Sequence, residues 1–295
     1  MTIKYFYILL FISLQFSQKI NTIWGPCMIR IYQGQINDID KIEERIKYQM
    51  EKMNVEWGEA IKRPLTIYIT FSKDDFFKQS RSYVPEWGIA VAKQDPDRII
   101  IQGPTISGIT FDKLLQILDH ELNHIYLNRI NNSNTFPHWY KEGMAMRQAN
   151  EFNMKHRIKI SAAKWNNQLF SLDELEYFIN VRKTNVGLAY AQSAAIVFAL
   201  EYFFGKEVHD SIFSKMRQGN DFWESLEEIT NFEKKDLNLK IDSYIDKNYN
   251  WMFLLNFSNY LFIIFPIILV VSFLYKKFEN NKKLKKWELE ESIEN

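Results

Sequence analysis

Residues 118–130 read LDHELNHIYLNRI, where His120 and His124 stand four apart and Glu121 follows the first of them. On an α-helix a four-residue step turns through about 400°, so both imidazoles project from one face, one turn apart. That spacing lets two ring nitrogens reach one zinc ion at about 2.0–2.1 Å. Glu121 then stands beside the open coordination position, where a carboxylate can accept a proton from a water whose pKa zinc lowers to about 7. The chain has five His among 295 residues. At that frequency His-Glu-x-x-His arises by chance in roughly one such chain in two hundred. A third ligand is what turns the pattern into a site.

An H-E-x-x-H-x-x-G-x-x-H arrangement is excluded, because Leu127 and Ile130 occupy the Gly and third His positions. Downstream, FPHWYKEGMAM places Glu142 eighteen positions after His124. Pro137 suits the opening of a new helix, and about one turn in, Glu142 can point back at the first. Gly143 beside it allows two helix backbones to approach closely. Glu142 is the preferred third ligand, with His138 as the rival at the helix start. Two His and one Glu leave zinc an open position for chemistry. The expected function is therefore a zinc metallopeptidase with Glu121 as general base, anchored in a membrane by the C-terminal apolar stretch read below. The alternative is a non-catalytic anchored module with a structural zinc clamp, in which Glu121 has no task.

Several elements must position these residues. Ile39, Ile42, Ile46, Met50 and Met53 fall at helical spacing, with Asn37 or Asp38 as the cap. Strands are expected over 65–71, 88–92 and 98–102, the last two joined by a turn at Asp95-Pro96-Asp97. Together they suggest a small, mostly antiparallel sheet. Beyond it the pattern is helical: a metal helix capped by Thr110 or Asp112, the Pro137 helix, then helices near 172–179, 189–204, 206–216, 222–229 and 235–247. A helix, a small sheet and a helical C-terminal half make an α+β layout.

Lys+Arg 37 against Asp+Glu 36 leaves a formal charge of +1, without the basic excess of a nucleic-acid binder. Cys27 is the sole cysteine, which excludes an internal disulfide and a Cys-based zinc knuckle. It is expected to be a small buried hydrophobe. His156 and His209 lie among charges and are expected at the surface.

The two ends are apolar. Lys4 precedes an uncharged run over 5–16, too short to span a bilayer but suited to an export signal over 1–18. Residues 251–275, WMFLLNFSNYLFIIFPIILVVSFLY, carry no charge and are long enough to cross hydrocarbon. Trp251, Tyr260 and Tyr275 bracket the stretch, and Lys276, Lys277, Lys282, Lys283, Lys285 and Lys286 follow it. Positive flanks stay in the cytoplasm. The expected order is an extracytoplasmic domain over 19–250, a transmembrane helix over 251–275 in the lipid bilayer of the cell membrane, and a cytoplasmic tail over 276–295. An intramembrane site is excluded, because Asp112, Lys113, Asp119 and Glu121 share the metal helix.

LLQILDHELNHIYL, FPHWYKEGMAM, LFSLDELEYF, GLAYAQSAAIVFALEYFFGKEV and KMRQGNDFWESLEEI resemble, in that order, the peptidase MA-like family of gluzincins. The resemblance covers roughly 65–247. It implies a zincin, thermolysin-like core, with His120, His124 and Glu142 as zinc ligands, Glu121 as general base and a peptide or protein substrate. Asp119 departs from it, since a small or apolar residue is more usual before the first His. Related gluzincins often supply an oxyanion donor, Tyr or His, from a later helix. Of Tyr190, Gln192 and Ser193 in GLAYAQS, Tyr190 is the choice. By analogy with zincins, 100–103 is the expected cleft rim, pairing with extended substrate.

Overall fold

The computed structural model describes residues 15–32, 34, 36, 38–81, 84, 88–130, 136–176, 184–255 and 257–294. Most of the expected export signal therefore lies outside the described residues. Its last residues begin the first strand, β1 (Gln15–Thr22), which returns antiparallel as β2 (Gly25–Tyr32). Helix α1 (Ile39–Trp57) buries Ile42, Ile46, Met50, Met53 and Trp57, one apolar stripe at helical spacing. Strand β3 (Leu65–Thr70) follows, then helix α2 (Lys73–Ser80), the hairpin strands β4 (Ala90–Lys93) and β5 (Arg98–Gln102), and a single turn α3 (Pro104–Ser107).

The sheet order is β1-β2-β3-β5-β4. β2 pairs with β3 and β3 with β5 in parallel, whereas the two outer pairings are antiparallel. The sheet is mixed, which corrects the mostly antiparallel expectation. The reason lies in the connections. Helix α1 carries the chain across a sheet face and so returns β3 parallel to β2, whereas α2 leads into β4, which runs opposite to β3, and the β4–β5 hairpin then brings β5 back parallel to β3. Burial agrees: Ile99, Ile100 and Ile101 are all at 0% exposure, as strands covered on both faces require. Ile100 faces Phe76 of α2 and Val84, while Ile99 and Ile101 join the main core. Cys27 is buried in that core, as expected of a small hydrophobe.

The remainder is helical. Helix α4 (Phe111–Asn128) starts at Thr110, whose hydroxyl accepts the Lys113 N–H at 3.2 Å. It is fixed at two points. Asp119, wholly buried, accepts from Arg45 of α1, with Nε at 2.9 and 3.0 Å from its two oxygens. Past its last turn, Arg129 meets Asp97 at 2.7 Å and donates to the Arg63 carbonyl at 3.0 Å. The Asp119 departure noted above is thus a tie between the metal helix and α1.

Helix α5 (His138–Gln148) follows with Pro137 as its N-cap. Then come α6 (Met154–Trp165), α7 (Leu172–Glu176), α8 (Val186–Phe204), α9 (Val208–Arg217), α10 (Phe222–Thr230) and α11 (Lys234–Tyr249). Residues 177–179 of the expected helix lie outside the described residues. Helix α8 is long and apolar enough to cross a membrane, but 61% of it is buried within the chain, and α5 packs on it. A Cβ on Gly143 would stand 2.4 Å from the Ser193 carbonyl oxygen, so only glycine permits this approach. A 3-10 turn (Met252–Leu255) leads to α12 (Phe257–Glu294), 38 residues with Pro266 inside. Its described apolar side chains, among them Phe265, Phe273 and Tyr275, are exposed.

His209 is not a surface residue. It is at 0% exposure on α9, with Nδ1 at 2.8 Å from the Tyr140 hydroxyl. The charges beside it in sequence suggest a surface position, but α5 and α8 cover it, Tyr140 from the first and Glu201 from the second, whose Oε1 lies 3.6 Å from its Nε2. His156 is half-buried, and its Nδ1 accepts the Asn153 N–H at 3.2 Å in a capping box that starts α6.

Candidate metal centre

Helix α4 presents His120 and His124 side by side, ring centroids 4.9 Å apart. Glu142 arrives from α5, which the Gly143–Ser193 contact seats against α8. Its Oε2 lies 3.3 Å from His120 Nε2 and 3.6 Å from His124 Nε2. One ligand atom from each of the three lies within 4.8 Å of the others. Glu142 is 7% exposed, and Oε2 has no hydrogen-bond partner. A buried carboxylate oxygen without a donor is costly, and a cation between it and the two Nε2 atoms removes that cost. Two imidazoles and one carboxylate are the donor set of an open zinc site. The residues fit the ion.

His138 stands on the other side of the carboxylate, with Nδ1 3.7 Å from Glu142 Oε1. It is not among the three converging groups. Burial pulls its pKa down, with Glu142 acting the other way.

A residue unmarked by the sequence completes the arrangement. Glu151, just past α5, places Oε2 2.9 Å from His120 Nδ1. Its Oε1 accepts from Lys113 at 2.9 Å. A carboxylate at Nδ1 holds the proton there and leaves Nε2 to bind metal. Burial acts against the Glu151 charge, yet His120 and Lys113 hold its carboxyl down at about 2. Gln116 braces the same corner by donating to the Ala149 carbonyl at 2.9 Å. Only the α4–α5 contact brings Glu151 to the site, so no local signal in its own segment could have found it.

The charges of these groups bear on one another. Burial disfavours the His120 imidazolium, but the Glu142 and Glu151 carboxylates beside it outweigh that and raise its pKa well above the usual value. Burial likewise opposes the Glu142 charge, and His124 and His120 reverse that, holding it well below the usual carboxylate range. Glu121 faces the cleft beside the ligands without joining them. Burial raises its pKa, and the two His partly offset this.

Tyr190 of α8 lines the same cleft. Burial first, then Glu142, Glu121 and Glu151, raise its pKa, so the hydroxyl keeps its proton. Gln192 is committed elsewhere, to the Phe170 backbone at 2.6 and 3.0 Å, and Ser193 is buried under Gly143. Two lobes of about 360 and 400 Å³ meet at His120, Glu121 and Tyr190. Ala90, Val91 and Ala92 of β4 form the facing wall. The rim is therefore β4 and not 100–103, because β5 lies between β3 and β4 with both edges paired.

The model of the peptidase MA superfamily matches residues 47–247. No curated protein matches the sequence. Among solved structures, the chain is similar to an aminopeptidase N family protein from Idiomarina loihiensis, at 11% identity and TM-score 0.49, covering 75% of this chain and 45% of that one. It is also similar to a mutant M1 zinc metallopeptidase from Deinococcus radiodurans, at 10% identity and TM-score 0.47, covering 78% and 52%. The chain spans about half the length of these proteins.

Proposed function

The chain belongs to the peptidase MA superfamily, and from that premise we propose that it is a zinc-dependent metallopeptidase held in a membrane by α12. The observation that carries the metal is the partnerless Glu142 Oε2 aimed at two imidazole Nε2 atoms. His120, His124 and Glu142 hold the zinc. When bound, the ion supplies Lewis acidity that activates water and polarises a carbonyl.

The other steps fall to the chain's own groups. An extended peptide adds to the outer edge of β4, its backbone satisfying donors and acceptors that β5 does not use. Glu121 takes the proton of the attacking water and passes it to the departing amine, and its raised pKa suits a group that must both accept and release. The protonated Tyr190 hydroxyl donates to the oxygen on which charge develops. Glu151 keeps the His120 ring fixed through Nδ1.

The anchored placement rests on the uncharged stretch 251–275, the exposed apolar side chains of α12 and the six Lys after Tyr275. It puts the cleft outside the cytoplasm and the tail inside. Glu121→Gln tests the enzyme. Hydrolysis of mixed peptides should drop by ~10²–10⁴, the usual contribution of a positioned acid-base group, with zinc content and melting temperature unchanged. Loss of zinc as well would make Glu121 a structural brace. Absence of turnover in both proteins across a broad peptide library would favour the zinc clamp.

A further inference from the structure

We propose that the base of the catalytic domain, around Trp165, Trp251 and Leu254, rests in the interfacial layer of the bilayer; the inference depends on the anchored reading above. Trp165 closes α6 and is 69% exposed, while Trp251 and Leu254 are 52% and 53% exposed. These side chains share one hollow with Lys164, Asp246 and Asn250. Large apolar groups gathered on a surface mark something that covers them. An indole, apolar with one N–H, prefers the headgroup depth of a membrane, where apolar and wet surroundings meet.

The patch is fixed to the domain. The Phe253 N–H donates to Ser161 Oγ at 2.7 Å, and the Phe253 ring stacks on Trp165 at 4.8 Å and 27°. The 3-10 turn that holds Phe253 ends one residue before α12 begins. Trp251 and Leu254 therefore stand next to the uncharged stretch of α12 in the chain, and on the anchored reading they lie where that stretch enters hydrocarbon. This continuity favours lipid over a second protein as the occupant. Lys164, 3.3 Å from Asp246, and Asn250 supply the polar rim that a headgroup layer accepts.

Helix α6 then sets the height of the cleft. His156 and Lys159 line one lobe and Trp165 ends the same helix. At 1.5 Å per residue, the nine-residue step from His156 to Trp165 is about 14 Å. That span is an upper bound on the axial distance from cleft wall to interface, which puts the cleft level with the juxtamembrane segments of other proteins.

The test uses the full chain in vesicles of phosphatidylcholine and phosphatidylglycerol. A fluorophore is attached at Trp165→Cys or, should that stack prove necessary, at Leu254→Cys. Val55→Cys, on exposed α1, and Leu269→Cys, within α12, serve as references. Native Cys27 is 1% exposed and stays unlabelled. Headgroup nitroxide lipid should quench the label at 165 and at 254 and leave 55 bright, while acyl-chain nitroxide quenches 269. Quenching at 269 with 165 and 254 as bright as 55 would overturn this inference and leave the anchor standing. No quenching at 269 would overturn the anchor and this inference together. A blue-shifted but unquenched label at 165 would mean that protein, not lipid, covers the patch, and would equally overturn it.

Discussion

At the scale of single residues, the proposed site separates groups that would hold the ion from groups that would position them. Glu142→Ala should lower zinc occupancy steeply. His138→Ala should leave it nearly unchanged, since His138 faces the far oxygen of Glu142 and is not one of the three converging groups. Glu151→Ala should retain the ligands yet weaken zinc binding about 10–100-fold, the usual effect of losing a partner behind a metal-bound imidazole. Metal analysis of the purified variants against a chelator series reads all three. Zinc lost in His138→Ala and kept in Glu142→Ala would move the third ligand. His120, Glu121 and His124 were legible in the sequence because their geometry is local, about one turn of one helix. Glu142 was legible because Pro137 fixes where its helix starts. Glu151 was not, since its partner lies 31 positions away on another helix.

At the scale of elements, the Gly143–Ser193 contact seats the helix that carries Glu142. In Gly143→Ala the new methyl meets a backbone carbonyl, which cannot swing aside as a side chain would. The expected cost is about 1–3 kcal/mol, as for other overpacked positions, or roughly 2–4 °C of Tm per kcal/mol in a domain of this size. Peptide turnover should fall with it, because residue 142 moves with residue 143. An unchanged melting curve and full activity would show that α5 and α8 stand further apart. Periodicity made α1, α4 and α8–α11 legible, and turn residues did so for β3–β5. The polar helices α2 (KDDFFKQS) and α6 (MKHRIKISAAKW) show little apolar stripe and were missed. β1 and β2 were missed because the preceding apolar run drew the reading toward an export signal. Parallel pairing leaves no local mark, being a property of where crossovers return.

At the scale of the whole molecule, stability and topology each have a readable signature. Burial, aided by Arg147, pulls the His209 pKa down to about 3 against about 6.5 in an unfolded chain. Its stabilising contribution is complete above pH 6.5 and is lost as pH falls toward 3, at about 1.4 kcal/mol per pH unit. Thermal melts should therefore show Tm dropping between pH 6.5 and 5, with a shallower slope in His209→Gln. Equal slopes would mean that His209 titrates normally. For topology, protease added to intact cells or spheroplasts should digest 20–250 and spare an epitope placed after Glu294, while protection of the domain would reverse the orientation. The outer edge of β4 has a further consequence. A strand side that accepts a substrate backbone also accepts the backbone of a neighbouring copy, so the opening needed for turnover is a liability in a crowded solution. Its small extent, four residues ending in Lys93, bounds that liability: too few rungs for a lasting ladder between copies, enough for the brief stay that the proposed turnover requires.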